Sequence, residues 1–161
     1  VAMDASPLIF LAKVNCMDLI RQLLGKDVHV ARSVREEILV NCPDEQERGR
    51  LESFLVQCRV EDVRHSRRYA SALSRADNDT LSLAILKRVR VLVCDDRLLR
   101  AMARAEGITP IGTLGMVLLA LHKGLLSKAE ARRIVDFLVG TYGLRISVEV
   151  YQRAIAEIER K

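Results

Sequence analysis

The sequence predicts an α/β fold, a central parallel sheet covered by helices on both faces and continued by a helical C-terminal extension, all within one domain over residues 1–161. Three observations predict it. Short apolar, β-branched runs alternate with longer helical stretches; the connections between those runs are long enough to cross over to parallel neighbours; and after ITPIG only helical patterns remain. A chain of 161 residues, 50% hydrophobic and 29% charged with few Gly or Pro, is long enough to bury a sizeable core.

VAM opens the chain as a strand. Ser6 is a good N-cap and Pro7 suits the first helical position, so a helix is expected from there through SPLIFLAKV, with NCMDLIRQLL closed by Gly25. DVHVA is a second short strand. Ser33 and Glu36 have capping-box spacing, which starts a helix in SVREEILVNC that must stop before Pro43. EQERGRLESFLVQC is amphipathic, VEDV reads as a short edge strand, and RHSRRYASALS is basic and polar. ADNDTLSLAILKR is helical, RVRVLVC is the clearest β-branched strand, DDRLLRAMARAEG is a helix ended by Gly107, and ITPIG is the last strand. TLGMVLLALHKG, SKAEARRIVDFLVGTYG and SVEVYQRAIAEIER then read as three helices, the second and third opened by Ser127 and Ser147. The α/β core is thus expected to end at about 112, with C-terminal helices over about 113–161.

Cys16, Cys42, Cys58 and Cys94 are scattered with no C-x-x-C pair, which argues against a zinc knuckle or a disulfide framework and for free thiols in a reducing compartment. No basic-then-apolar leader opens the chain, and IGTLGMVLLAL is too short to span a bilayer, so a soluble, cytoplasmic protein with no membrane partner is expected. A net charge of +5 and a pI near 9.3 favour a polyanionic partner.

In an open parallel sheet, ligands collect beyond the carboxyl ends of the strands. Asp4 follows VAM at a junction where neither propensity nor capping calls for an acid, and Asp95 and Asp96 follow RVRVLVC. Glu37 lies in the first turns of the helix after DVHVA, and Asp77 and Asp79 open the helix before RVRVLVC. Each of these except Asp4 has an ordinary reading as a cap, a first-turn acid or a solvated surface residue. Gathered on one edge, however, such carboxylates raise one another's pKa unless a cation sits among them. Oxygen ligands without accompanying His or Cys suit Mg²⁺ or Mn²⁺, and such an ion activates water and stabilises charge on a phosphoryl oxygen. Phosphodiester hydrolysis is the chemistry suggested, with the choices between Asp77 and Asp79 and between Asp95 and Asp96 left open.

Other chemistries find no footing. An aspartyl-nucleophile phosphatase needs an acid where Ser6 stands, and G-x-G-x-x-G, G-x-x-x-x-G-K-[ST] and G-x-S-x-G are all missing from the sequence. His29, His65 and His122 are far apart and read as surface or packing residues.

The order of Asp4 with Ser6 after the first strand, Glu37 in the helix after the second, ADNDTLSLA around Asp77 and LVCDDRLL around Asp96 resembles the PIN-domain family, which includes the VapC-type toxins of toxin–antitoxin pairs. The resemblance covers nearly the whole chain; DASPLIFLAK and GITPIGTLGMVLLALHKGLL are similar to a prokaryotic branch with a longer helical C-terminus. It implies a three-layer α/β/α sandwich and an Mg²⁺ or Mn²⁺ site made from Asp4, Glu37, Asp77 and Asp96, with Asp79 and Asp95 as second choices. It also implies ribonuclease activity leaving a 5′-phosphate. Asp4 and Asp96 would be the primary ligands, Glu37 and Asp77 would complete the site, and Ser6 would support it by hydrogen bonding. Two departures stand out: Cys94 replaces a Thr or Ser before the fourth acid, and the third acid is doubled by Asp79.

Lys13, Arg32, Arg35, Arg97 and Arg100 lie on elements expected to start near the same edge and are candidate RNA phosphate contacts. Three Phe, three Tyr and no Trp leave little material for base stacking. RNA is the expected partner, a small antitoxin protein a second one, and the apolar surplus of TLGMVLLALHKG and IVDFLVGTYG suggests a homodimer. The alternatives are a non-catalytic RNA- or protein-binding PIN-like module and a housekeeping RNA-processing nuclease.

Overall fold

The computed structural model describes residues 1–64, 69 and 71–160; His65 and most of the basic stretch around it lie outside the described residues. Five parallel strands, β1 (Ala2–Met3), β2 (His29–Ala31), β3 (Arg59–Glu61), β4 (Val91–Val93) and β5 (Thr109–Ile111), form one sheet in the order β3-β2-β1-β4-β5. The strands are short, yet β1 is buried on both sides. Met3 packs into the cluster formed with α1 (Ala5–Lys13), α2 (Asp18–Leu24), α3 (Arg32–Val40) and α4 (Glu45–Leu55). Ala2 packs into the opposite cluster, with α5 (Arg75–Leu86) and α6 (Arg97–Ala105). This is the expected α/β/α sandwich, and β3 takes the edge position foreseen for VEDV.

Register at the helix starts differs from expectation in two places. The first helix begins at Ala5, so Asp4 rather than Ser6 occupies the N-cap position and Ser6 lies within the first turn. The third helix begins at Arg32 with Ala31 at the cap. Ser33 is therefore helical, and its hydroxyl donates to Asp79 at 2.6 Å instead of closing a capping box with Glu36. At α3 the strand runs straight into the helix, with its last residue, Ala31, as the cap, whereas at α1 the single residue Asp4 stands between strand and helix. The boxes that do form are Ser74 with Asp77 and Ser127 with Glu130.

Beyond the sheet, α7 (Thr113–His122), α8 (Lys128–Asp136) and α9 (Val148–Arg160) build a third cluster of their own, with Val117, Leu121, Val135, Leu138, Ala154 and Ile158 inside it. Much of the apolar surplus that suggested a homodimer is buried there, while Phe137 is left exposed. Among the described residues no helix is long and apolar enough to cross a membrane.

Candidate functional site

The chain winds outward from β1 through β2 to β3 in one direction and through β4 to β5 in the other. The reversal therefore falls between the neighbouring strands β1 and β4. Helices leave opposite faces at such a point and open a crevice beyond the carboxyl ends. Asp4 follows β1 there and Asp95 and Asp96 follow β4. The Asp4 N–H donates to Val93 O at 2.9 Å, which ties the two strand ends together.

Asp4 is 3% exposed, and although it stands at the N-cap of α1 its side chain makes no cap hydrogen bond into the helix's later turn. Burial pushes its carboxyl up to about 7, and the charges of Asp77, Glu37 and Asp95 add to that rise against a bond from the Ala5 backbone. Glu37, reached from α3, is also raised, by partial burial and then by Asp77. Three elements thus bring carboxylates into electrostatic reach of Asp4.

The remaining acids divide by how their oxygens are spent. Asp77 Oδ2 accepts the Ser74 N–H at 2.9 Å, and Asp96 Oδ1 accepts the Leu99 N–H at 2.8 Å. Each thus caps its helix with one oxygen and keeps the other. Asp95 has both engaged, Oδ1 by the Thr113 N–H at 2.8 Å and Oδ2 by the Thr113 hydroxyl at 2.6 Å. Burial raises Asp95 while these bonds and Arg100 lower it. Gly112 makes this fit: a Cβ there would lie 2.9 Å from Asp95 Oδ1 and 3.0 Å from an Arg100 guanidinium nitrogen. Asp79 is buried and takes the Ser33 hydroxyl, with Arg75 at 3.8 Å.

Cys94 is fully buried, and its thiol is pushed up to about 12, by burial first and then by Asp4 and, more weakly, by Asp95 and Asp96, against Arg100. It stays a neutral thiol between the β1 and β4 acids. Ser6 is half-buried on the first turn of α1.

The five candidate phosphate-binding cations do not form one set. Arg97 and Arg100 begin α6 beside Asp96, with Arg100 donating to Cys94 O at 3.0 Å. Arg32 and Arg35 lie on the first turns of α3, Arg32 paired with Asp62 at 3.0 Å. Lys13 closes the far end of α1, roughly 13 Å of helix from Asp4 at 1.5 Å per residue. There it pairs with Glu47 at 3.2 Å and lies 5.3 Å over the Tyr142 ring. A nine-residue helix carries its last side chain away from the edge where it starts, and that removes Lys13 from this group.

Among the described residues no three His, Cys, Asp or Glu side chains are grouped closely enough to hold a metal ion as they stand. The donor set nevertheless fits a hard divalent cation. It is all oxygen, its innermost carboxylate is buried against like charges, and Asp77 and Asp96 each hold an oxygen in reserve. Sequence reasoning missed Thr113, which meets Asp95 across 18 residues with no local signal. It also missed Ser74, whose spacing to Asp77 is that of a capping box with Asp in place of the usual Glu.

A family model described as PIN domain matches residues 1–160. No curated protein and no solved structure gives a significant match.

Proposed function

The chain belongs to the PIN-domain family, a nuclease-type fold, and from that premise we propose that it is a metal-dependent endoribonuclease. The supporting observation is Asp4: a carboxylate buried where the sheet's winding reverses, free of any capping task and pressed by Asp77, Glu37 and Asp95. The reading takes residues 1–161 as one PIN-like domain, with a core to about 112 and helices over about 113–161.

In this reading Asp4, Glu37, Asp77 and Asp96 hold Mg²⁺ or Mn²⁺. When bound, the cation supplies an acidified water and a Lewis acid for the phosphoryl oxygen. Asp4 ionises as its like-charged neighbours are neutralised. The unspent oxygens of Asp77 and Asp96 are held by the helix caps that engage their partners, and Glu37, on a different helix, orients the attacking water. Ser6 steadies Asp4 from the first turn of α1. Arg97 and Arg100 hold phosphates beside the scissile bond. Thr113 keeps Asp95 out of the ligand set and fixes the turn that presents Asp96.

Purified protein should cut structured RNAs in Mn²⁺ or Mg²⁺ to products with 5′-phosphates, and not in chelator. Asp4→Asn and Asp96→Asn should each lower cleavage by about 10²-fold or more, the usual order for loss of a group that stabilises transition-state charge. Cleavage that persists in chelator or in Asp4→Asn ends the reading. A toxin role, with a small antitoxin protein as cytoplasmic partner, predicts growth arrest on expression that Asp4→Asn relieves; a processing nuclease predicts none. The non-catalytic module is favoured by the spacing of the carboxylates, none of which form a close group of three among the described residues. It predicts RNA binding without metal-dependent cleavage.

A further inference from the structure

A cleft of about 790 Å³ opens from the carboxyl edge and runs between α6, β5, α7 and α9. Asp95, Arg97 and Gly112, which follow the carboxyl ends of β4 and β5, are among its lining. Arg97, Arg100 and Arg104 enter it from α6 with i, i+3, i+7 spacing, a single helix face about 10 Å long. Arg145, from the segment before α9, and Arg153, on α9, face it from the C-terminal extension.

Four of these arginines, Arg97, Arg104, Arg145 and Arg153, are exposed and make no ion pair among the described residues. The two acids in the lining are already engaged, Asp95 by Thr113 and Glu157 by His122 and Arg160. Unpaired arginines on facing walls leave a strongly cationic trough. Its lining includes the aliphatic Leu114, Leu118 and Ile146, no Phe, Tyr or Trp is among the described residues that line it, and the His122 ring is held by Leu118 O and Glu157.

We propose that this cleft is the bed for single-stranded RNA flanking the scissile bond, with the α6 arginines and the C-terminal Arg145 and Arg153 as two walls that grip its phosphates. The proposal rests on the ribonuclease reading for its position, because a strand cut beside Asp4 and Asp96 and leaving on the α6 side passes Asp95 and Arg97, which line the cleft. Arginines spaced along a helix match the repeating charge of a backbone. The aliphatic lining lets bases lie on it without stacking, so binding follows phosphates and not base identity. The C-terminal extension is thereby part of the substrate site and not only a cover for α7.

Binding of labelled oligouridine, measured by anisotropy over a salt series in chelator, tests this without cleavage. Arg145→Ala/Arg153→Ala should bind about tenfold more weakly, as loss of charge-assisted hydrogen bonds requires. Its log–log salt slope should be shallower by about 1.4, two contacts at 0.7 each for a single strand. Both residues are exposed, so the fold stands. Lys26→Ala/Arg90→Ala removes equal charge ahead of β2 and β4, at the opposite edge, and should bind like wild type. An unchanged slope in the cleft variant, an equal loss in the control, no binding by wild type, or a cleft that loses a polyglutamate peptide while keeping RNA each overturns the proposal. Cleft-dependent binding by a wild type that never cleaves in Mn²⁺ leaves the bed standing and removes the nuclease. Normal cleavage with cleft-independent binding removes the bed alone.

Discussion

Asp4 makes the folded protein sensitive to pH. Its carboxyl is held up to about 7, whereas in the unfolded chain it titrates near the ordinary value of 3.8. Between those values the folded state keeps a proton that the unfolded state has lost, so stability is full below about pH 4, falls as pH rises towards 7 and is flat above it. Asp4→Asn, which carries no charge at any pH, should therefore melt higher than metal-free wild type at pH 8, by about 10 °C, and lose that advantage at pH 4. Mn²⁺ or Mg²⁺ should raise the wild-type melting temperature and leave Asp4→Asn nearly unmoved; a thermal-shift series at the two pH values reads both effects. Gly112 offers a second test on a single atom. A Cβ there meets Asp95 Oδ1 at 2.9 Å, so Gly112→Ala should displace Asp95 from Thr113 and destabilise the fold by about 1–3 kcal/mol in urea titration.

The helices act as carriers of the acids, and one side-chain hydrogen bond links two of them. The Ser33 hydroxyl on α3 donates to the buried Asp79 on α5, and the two helices pack closely along their lengths. Glu37 stands one turn beyond Ser33, and Asp77 stands just before Asp79. Ser33→Ala leaves the buried Asp79 carboxylate without its hydroxyl donor, with Arg75 at 3.8 Å, and should cost about 1–3 kcal/mol of stability. If the bond also sets the spacing of Glu37 from Asp77, metal should rescue less of the melting temperature in this variant than in wild type. The capping-box expectation for Ser33 went astray because the serine is two residues too deep, a displacement that periodicity does not register.

Three hydrophobic clusters divide the molecule, and the third is formed by the end of the chain, with Phe10, Val14 and Cys16 packed against it. Ile158 is 2% exposed within it, while Val148 on the same helix is 71% exposed. Ile158→Ala should cost about 2–4 kcal/mol and Val148→Ala less than about 0.5, measured by denaturant unfolding. Because α9 also carries Arg153, Ile158→Ala near its own melting point should weaken RNA binding, and at low temperature it should bind like wild type.

The α/β class, the strand positions, the edge place of β3 and the stops at Gly25 and Gly107 were all legible along the chain, because periodicity, β-branching and left-handed glycines act over a few residues. So was the oddity of Asp4, an acid with no local task. Which acids keep an oxygen free was not legible, since that depends on partners distant in sequence: Ser33 meets Asp79 across 46 residues, and Thr113 meets Asp95 across 18. Lys13 was misplaced for the same reason, its position on the helix being clear but the direction the helix takes from the sheet edge not being encoded in spacing. The cleft lies further still from sequence, because α6 and α9 bring their arginines opposite one another only once β5 and α7 have set the floor between them. Local chemistry chooses elements and marks unusual residues, whereas the pairing of charges is settled by packing, which alone decides what each buried carboxylate meets.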